Sequence, residues 1–349
     1  MNHNTKGQRY QSLERRHRVQ IIGGLRDQGM GYGEIARTLG ITLAQVEKCL
    51  GEAAALREQG MTKQEVADEI GVPYGSLRRV LVVTRRGVTA RQSAALAAAS
   101  DMHGMQVDVL AEFFNISLSS AYDLAKALRE RGLIHPLETV QPGRAWLYPK
   151  REVAERYLGW RPKEWRPPLM FANHYRAVTQ ARIMLVGSDP QLWVSERTLR
   201  RRAEVAATET KSGQLMFSTG RSPQAGRPHV HDGRFLGAVD GQHGWWALEV
   251  ELTRKREPKK IDLALQGAIR AARDSEEEQI IGLLYLCGSE PVINTVNAAY
   301  QRLPRELAEL KLLFAIGDFN DEWTKFLTNR RRTRAANRGP VLHLSQEAS

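Results

Sequence analysis

Cysteine is almost missing from this chain: Cys49 and Cys287 are the two in 349 residues. Neither a disulfide framework nor a cysteine-rich zinc site is therefore expected, and a reducing cytosol suits such a sequence. Long hydrophobic runs are missing as well. Apolar stretches such as Ile280 to Cys287 fall far short of the roughly 20 residues that span a bilayer. Met1-Asn-His-Asn-Thr-Lys6 has no apolar core of a secretory signal, so a cytoplasmic protein with no membrane partner is the expectation. The pattern Gly-x-x-x-x-Gly-Lys-Ser/Thr is also absent, which leaves a phosphate-loop ATPase unsupported. Acidic residues are in deficit: 39 Asp and Glu face 51 Lys and Arg, a net charge of +12. A surplus of that size attracts polyanions and gives salt-dependent affinity for nucleic acid, although acidic partners share the attraction.

What is present begins with a repeat. Leu25-Arg-Asp-Gln-Gly-Met30 returns as Leu56-Arg-Glu-Gln-Gly-Met61, and Glu34, Ala36, Gly40 and Leu50 map onto Glu65, Ala67, Gly71 and Leu81. Two copies are too few for a solenoid. Each copy has helix-turn-helix spacing: a small Ala lets two helices approach, a Gly allows the turn, and Val46 or Leu77 anchors the second helix. The second helix of the second copy, over 73–81, would expose Tyr74, Ser76, Arg78 and Arg79 to a major groove and its phosphates; the first copy offers Gln45 and Lys48 on a less basic face.

A third unit follows. Met105 to Ile116 is a predicted helix, Asn115-Ile-Ser117 a turn, and Leu118 to Arg131 a helix with Ala121, Leu124, Ala125 and Leu128 inward, stopped by Gly132. Leu133-Ile134 and Ala145-Trp-Leu-Tyr148, around a turn at Gln141-Pro-Gly-Arg144, read as a hairpin. The unit resembles winged helix-turn-helix domains. Its exposed face would carry Ser119, Ser120, Lys126 and Arg129, with Arg144 at the wing tip.

Prolines then break every period over 159–168, a predicted linker. Beyond it, Leu169 to Val186 and Trp193 to Ala207 are predicted helices, and Lys211 to Pro228 a long loop. Phe235 to Val239 and Trp245 to Leu252 form a predicted strand hairpin. Strand alternation puts Glu249 and Glu251 on one face, opposite Leu248, Val250 and Leu252, and Asp232 on the preceding strand can reach the same place. Converging carboxylates repel unless a cation compensates, and hard Mg2+ takes carboxylate oxygens. Asp232 and Glu249 are the candidate metal ligands, with Glu251 and Lys255 completing a candidate catalytic set. His229, His231 and His243 show no compact ligand spacing with one another or with Cys, and no metal is expected of them. The arginine-rich end over 323–349 is expected to be a solvated basic tail with phosphate contact as its functional option.

Asp232 followed by Glu249-Val-Glu251 resembles the metal-binding hairpin of the PD-(D/E)xK nuclease-like fold, a mixed sheet with a helix-strand-strand-strand-helix-strand core. The resemblance implies that the helix carrying Glu196, the two hairpin strands, a helix over Lys259 to Ala272 and a strand over Gln279 to Cys287 are the core pieces. The family's lysine position holds Glu251 here, so Lys255, Lys259 or Lys260 would supply the positive charge. The order of His174-Tyr-Arg-Ala-Val178, Trp193-Val-Ser-Glu-Arg197, His231-Asp232, Trp246-Ala-Leu-Glu-Val-Glu-Leu-Thr253 and Leu284-Tyr-Leu-Cys287 behind a winged helix resembles the replication-relaxation family of plasmids and integrative elements.

The expectation is an α/β multidomain protein: a tandem helix-turn-helix over 1–87, a winged helix-turn-helix over 88–158, the linker, and a restriction-endonuclease-like mixed α/β domain over 169–322. It would bind double-stranded DNA for a mobile element, in replication, mobilisation or transcription control. Further partners would be a second copy of the chain or the element's replication and transfer proteins. A Mg2+-dependent DNA endonuclease is the alternative, and catalysis stays open.

Overall fold

Three hydroxyl residues show how the helical half is punctuated. Thr42, Thr62 and Thr89 each stand three residues ahead of a Gln or Glu. Each accepts the backbone N–H of that residue (3.2–3.3 Å), while Gln45, Glu65 or Gln92 accepts the threonine's own N–H in return at 2.6–3.0 Å. Two otherwise orphaned donors are satisfied at each helix start. The computed structural model describes residues 10, 13, 15–58, 61–71, 74, 88–141, 143–212, 229–255 and 257–336. Among them are 14 α-helices and a mixed five-stranded sheet, and no helix is long and apolar enough to cross a membrane.

Helices α1 (Arg15–Asp27), α2 (Tyr32–Leu39), α3 (Leu43–Glu58) and α4 (Lys63–Ile70) carry the repeat. Its two turn glycines, Gly40 and Gly71, sit at φ 64° and 70°, in left-handed backbone that a side chain disfavours. Ala36 and Ala67 are buried beside Ile35, Val46, Leu50, Val66 and Ile70 in one core. Of the helix expected over 73–81 in the second copy, only Tyr74, exposed, lies within the described residues; Ser76, Arg78 and Arg79 lie outside them.

Next come α5 (Ala90–Asp101), β1 (Met105–Gln106), α6 (Val107–Phe114), α7 (Leu118–Glu130), β2 (Trp146–Leu147) and α8 (Arg151–Leu158). The helix expected from Met105 starts at Val107, because Met105 and Gln106 pair antiparallel with Leu147 and Trp146. The expected strand at Leu133-Ile134 is reduced to the bridge Ile134–Pro149. The proline-rich junction is packed, not a free spacer: the Trp165 ring lies 6.3, 5.9 and 5.8 Å from those of Trp146, Tyr148 and Tyr175.

The second half runs α9 (Ala172–Val186), β3 (Trp193–Ser195), α10 (Glu196–Ser212), β4 (Gly233–Val239), β5 (Gln242–Glu251), α11 (Pro258–Arg273), β6 (Ile280–Cys287), α12 (Glu290–Gln301), α13 (Arg305–Ala308), β7 (Leu313–Asp318) and α14 (Phe319–Ala336). The helix expected from Trp193 begins at Glu196. Trp193 to Ser195 pair with β4, and Ser195 Oγ accepts the N–H of Thr198 at 3.2 Å as the helix starts. Lys211 and Ser212, expected in a loop, still belong to α10. The strands lie in sequence order: β3, β4 and β5 antiparallel, then β5, β6 and β7 parallel across the α11 and α12–α13 crossovers. Ile280 to Cys287 is the apolar run a strand covered on both faces requires. Leu284 and Leu286 join Trp193, Phe235, Trp246 and α9 on one side, while Leu283, Tyr285 and Cys287 meet α11 and α12 on the other.

The halves are docked. Arg176 of α9 donates twice to Asp108 (2.9 and 2.7 Å), and Arg197 donates to the Ser100 carbonyl at 2.6 Å. The expected basic tail starts inside α14, where Trp323 and Phe326 pack on the helical core and Arg330 donates to the Glu112 carbonyl.

Candidate functional site

Four segments meet where β4 and β5 run alongside α9 and α11. His229-Val-His231-Asp232 enters β4, and Asp232 N–H donates to the Leu248 carbonyl at 3.1 Å, extending the strand pairing by one residue. The Asp232 carboxylate is engaged on both oxygens: Oδ2 accepts the N–H of Val250 (2.8 Å) and Oδ1 the Nε2–H of His174 (3.1 Å). His174 lies in the first turn of α9. Burial disfavours its charged ring, but the Asp232 hydrogen bond and charge, with Glu196 and Glu249 behind, win and lift its pKa to about 9. His174 is thus an imidazolium at neutral pH.

Glu249 projects from β5 onto the α11 side, on the face expected from strand alternation. Its Oε1 accepts the His229 Nε2–H at 2.7 Å. Burial pushes the Glu249 carboxyl up more than the His229 charge pulls it down. Burial would lower His229, yet the Glu249 charge and hydrogen bond raise it. His231 is wholly buried; its Nε2 meets the Ala268 carbonyl at 2.9 Å, and its Nδ1 has no hydrogen-bond partner. Burial, then the charges of Arg234 and His229, push that ring down to about 3, so it is neutral. Glu251 is ion-paired with Lys255, and Glu196 binds Arg200 one turn along α10 at 2.5 Å. Tyr285, in register with Glu249 on β6, is held protonated by burial and by the Glu249, Glu251 and Asp232 charges.

The four candidate catalytic residues therefore sit in one neighbourhood with divided roles. Asp232 pairs with His174, Glu249 with His229, and Glu251 with Lys255, while Lys260 pairs with Glu257 on the surface. Among the described residues, the group of three or more potential ligands within 4.8 Å of one another is His229, His231 and Glu249. Asp232 is outside it. This donor set, two imidazoles and one carboxylate, fits an oxygen-seeking Mg2+ poorly. The sequence reading set these two histidines aside for want of compact ligand spacing. The signal was there in His-x-His, which strand alternation turns toward one face.

The candidate DNA-facing residues spread over three places. On α7, Ser119, Ser120, Lys126 and Arg129 are exposed and the opposite face is sealed by Ala121, Leu124, Ala125 and Leu128. Arg144 is exposed, and its carbonyl accepts from Gln106 at 2.8 Å. On α3, Lys48 is exposed, but the Gln45 side chain is committed to the helix cap and Glu47 accepts the Tyr157 hydroxyl at 3.0 Å, so that helix leans on α8.

Replacing Asp232 by Asn is expected to drop the His174 pKa from about 9 toward the ordinary imidazole value of about 6.5, since burial then meets only the lesser pull of the Glu196 and Glu249 charges. A ring whose pKa is raised on folding stabilises fully below about 6.5 and loses that contribution as pH rises through about 9. The wild type should therefore lose stability over that window and the variant should not. Histidine NMR titrations and urea unfolding at several pH values check both. No family model, no curated protein and no solved structure matches this chain.

Proposed function

We propose that the chain binds duplex DNA for a mobile genetic element, in its replication, mobilisation or transcription control. In this reading α6 and α7 form a helix-turn-helix, with the segment around Arg144 as its wing. One observation carries it: α7 buries a continuous apolar face and turns outward Ser119, Ser120, Lys126 and Arg129, short hydroxyls and cations of the kind that reach base edges and phosphates. The tandem repeat would add weak contacts through effective concentration, with α3 serving architecture. The mobile-element assignment rests on the order of motifs that resembles the replication-relaxation family.

The test is anisotropy of a labelled duplex across a salt series. Each phosphate contact contributes about 0.9 to the slope of log affinity against log salt. Lys126→Ala, Arg129→Ala and Arg144→Ala together should lower it by roughly 2–3, while Arg305→Ala on exposed α13 should leave it unchanged. An unaltered slope in the triple variant rejects α7 as the DNA surface.

The alternative, a Mg2+-dependent endonuclease, draws support from the sheet: β3, β4 and β5 run antiparallel and β6 joins in parallel after the crossover helix α11, although α10 stands between β3 and β4 and departs from the helix-strand-strand-strand-helix-strand order. The engagement of Asp232 and Glu249 by imidazoles weighs against it. Nicking of supercoiled plasmid that needs Mg2+ and disappears in both Asp232→Ala and Glu249→Ala would establish it.

A further inference from the structure

We propose that His229, His231 and Glu249 form a site for a borderline divalent metal, Zn2+ in the first place. The proposal is independent of DNA binding; it shares Glu249 with the Mg2+ reading but replaces Asp232 by two imidazoles and differs in the metal. One ligating atom of each residue lies within 4.8 Å of the others, on elements that are themselves fixed: the strand entry before β4 and the C-terminal part of β5.

The second, independent observation is the state of His231. Its Nε2 faces the Ala268 carbonyl, which can only accept, so the proton is on Nε2 and the lone pair on Nδ1. That Nδ1 is buried and without a partner. An orphaned acceptor inside a protein is destabilising, and a metal ion in place of the missing donor removes that cost. A ring whose second nitrogen donates to a backbone carbonyl is also how metal-bound histidines are oriented and made more basic.

The surroundings are shaped for the same end. Gly267 of α11 packs against the His229 ring: a Cβ there would come within 3.2 Å of the His229 Cβ and 3.5 Å of its Nδ1. Helix and ring approach closely because that position has no side chain. His229 and Glu249 keep 17% and 13% of their side-chain surface exposed, so an ion can enter from that side while His231 lies behind.

The chemistry of the donors selects the ion. Imidazole nitrogens suit Zn2+ and its neighbours, whereas Mg2+ keeps to oxygen and holds its waters. With metal–ligand bonds of about 2.0–2.1 Å, tetrahedral ligand atoms stand about 3.3 Å apart. His229 Nε2 and Glu249 Oε1, now 2.7 Å apart, would need to separate only slightly. Three protein ligands leave a fourth position for water.

The full chain, stripped of metal by chelator and without DNA, is titrated with Zn2+ by calorimetry and with Co2+ by visible absorption. The expected result is one equivalent bound, an intense ligand-field spectrum of four-coordinate cobalt, and no displacement by excess Mg2+. His229→Gln and Glu249→Gln should each weaken Zn2+ more than the roughly 10–100-fold typical of losing an outer-shell partner. His243→Gln, on the same hairpin but outside the group, should leave binding unchanged. Absence of stoichiometric binding to the folded wild type, undiminished binding in both ligand variants, or displacement by Mg2+ overturns the proposal. The wild-type stoichiometry decides by itself if a variant fails to fold. Loss of the metal with DNA binding intact, or the reverse, tells the two readings apart.

Discussion

Asp101→Ala is expected to cost about 3 kcal/mol of folding stability. Asp101 ends α5 and reaches across to the sheet domain, where its Oδ1 accepts the Ser195 hydroxyl at 2.5 Å and its Oδ2 the Arg182 guanidinium at 3.4 Å. Arg182 is 2% exposed and lies between the faces of Phe113 and Trp193. Arg37 is a second guanidinium close by, and burial lowers the pKa of both, with Asp101 opposing the shift. Asp101 is the strongest of the carboxylates that compensate this positive charge, ahead of Glu34 and Glu278 at Arg37 and of Asp189 at Arg182, and its removal leaves the charge poorly paired in an apolar seam. Asp101→Asn should cost less, since it keeps an acceptor. Arg182→Met in the Asp101→Ala background should recover part of the loss, because the more deeply buried of the two cations is then gone. Urea unfolding followed by tryptophan fluorescence measures all three. A cost below about 1 kcal/mol for Asp101→Ala would mean that water reaches the seam.

Gly282→Ala should be of similar size, about 3 kcal/mol, for a steric reason. Gly282 on β6 is in register with Trp246 on β5, and the indole lies across it. An added Cβ would stand 2.6 Å from Trp246 Cε3 and 2.8 Å from Cη2, distances that real contacts do not show. Trp246 is 2% exposed and hemmed in by Phe235, Leu248 and Leu284, so the ring has nowhere to move. Trp246→Leu is itself destabilising, but combined with Gly282→Ala it should lose less than the sum of the two, since the smaller side chain vacates the space. Additive losses would place the clash elsewhere.

Much of the architecture was legible because it rests on local chemistry. The Ala and Gly pairs of the repeat, the alternation through Glu249 and Glu251, and the apolar run at Ile280 to Cys287 each encode a period or a turn. Two short strands escaped notice, since Met105–Gln106 and Trp193–Ser195 are too brief to show a period and exist through their partners. The partners of the arginines were not legible. Arg197 donates to the Ser100 carbonyl, and Arg202 pairs with Glu278 at 3.0 Å and Glu34 at 3.5 Å. Whether a charge faces water depends on which element docks against it, and that is a long-range property. The carboxylates of the site were found by type, but the division between Asp232 with His174 and Glu249 with His229 could not be, because it is decided by α9 crossing the strand ends.

The placement of α14 has a consequence in time. Trp323 and Phe326 close over the first core, and Arg330 donates to the carbonyl of Glu112. On the ribosome, the surface around Glu112 emerges more than 200 residues before the helix that covers it; at about 5–20 residues per second this is a wait of roughly 10–40 s. Through that interval the nascent helical half must stay soluble with its apolar seam open, so late synthesis, and not early collapse, completes it.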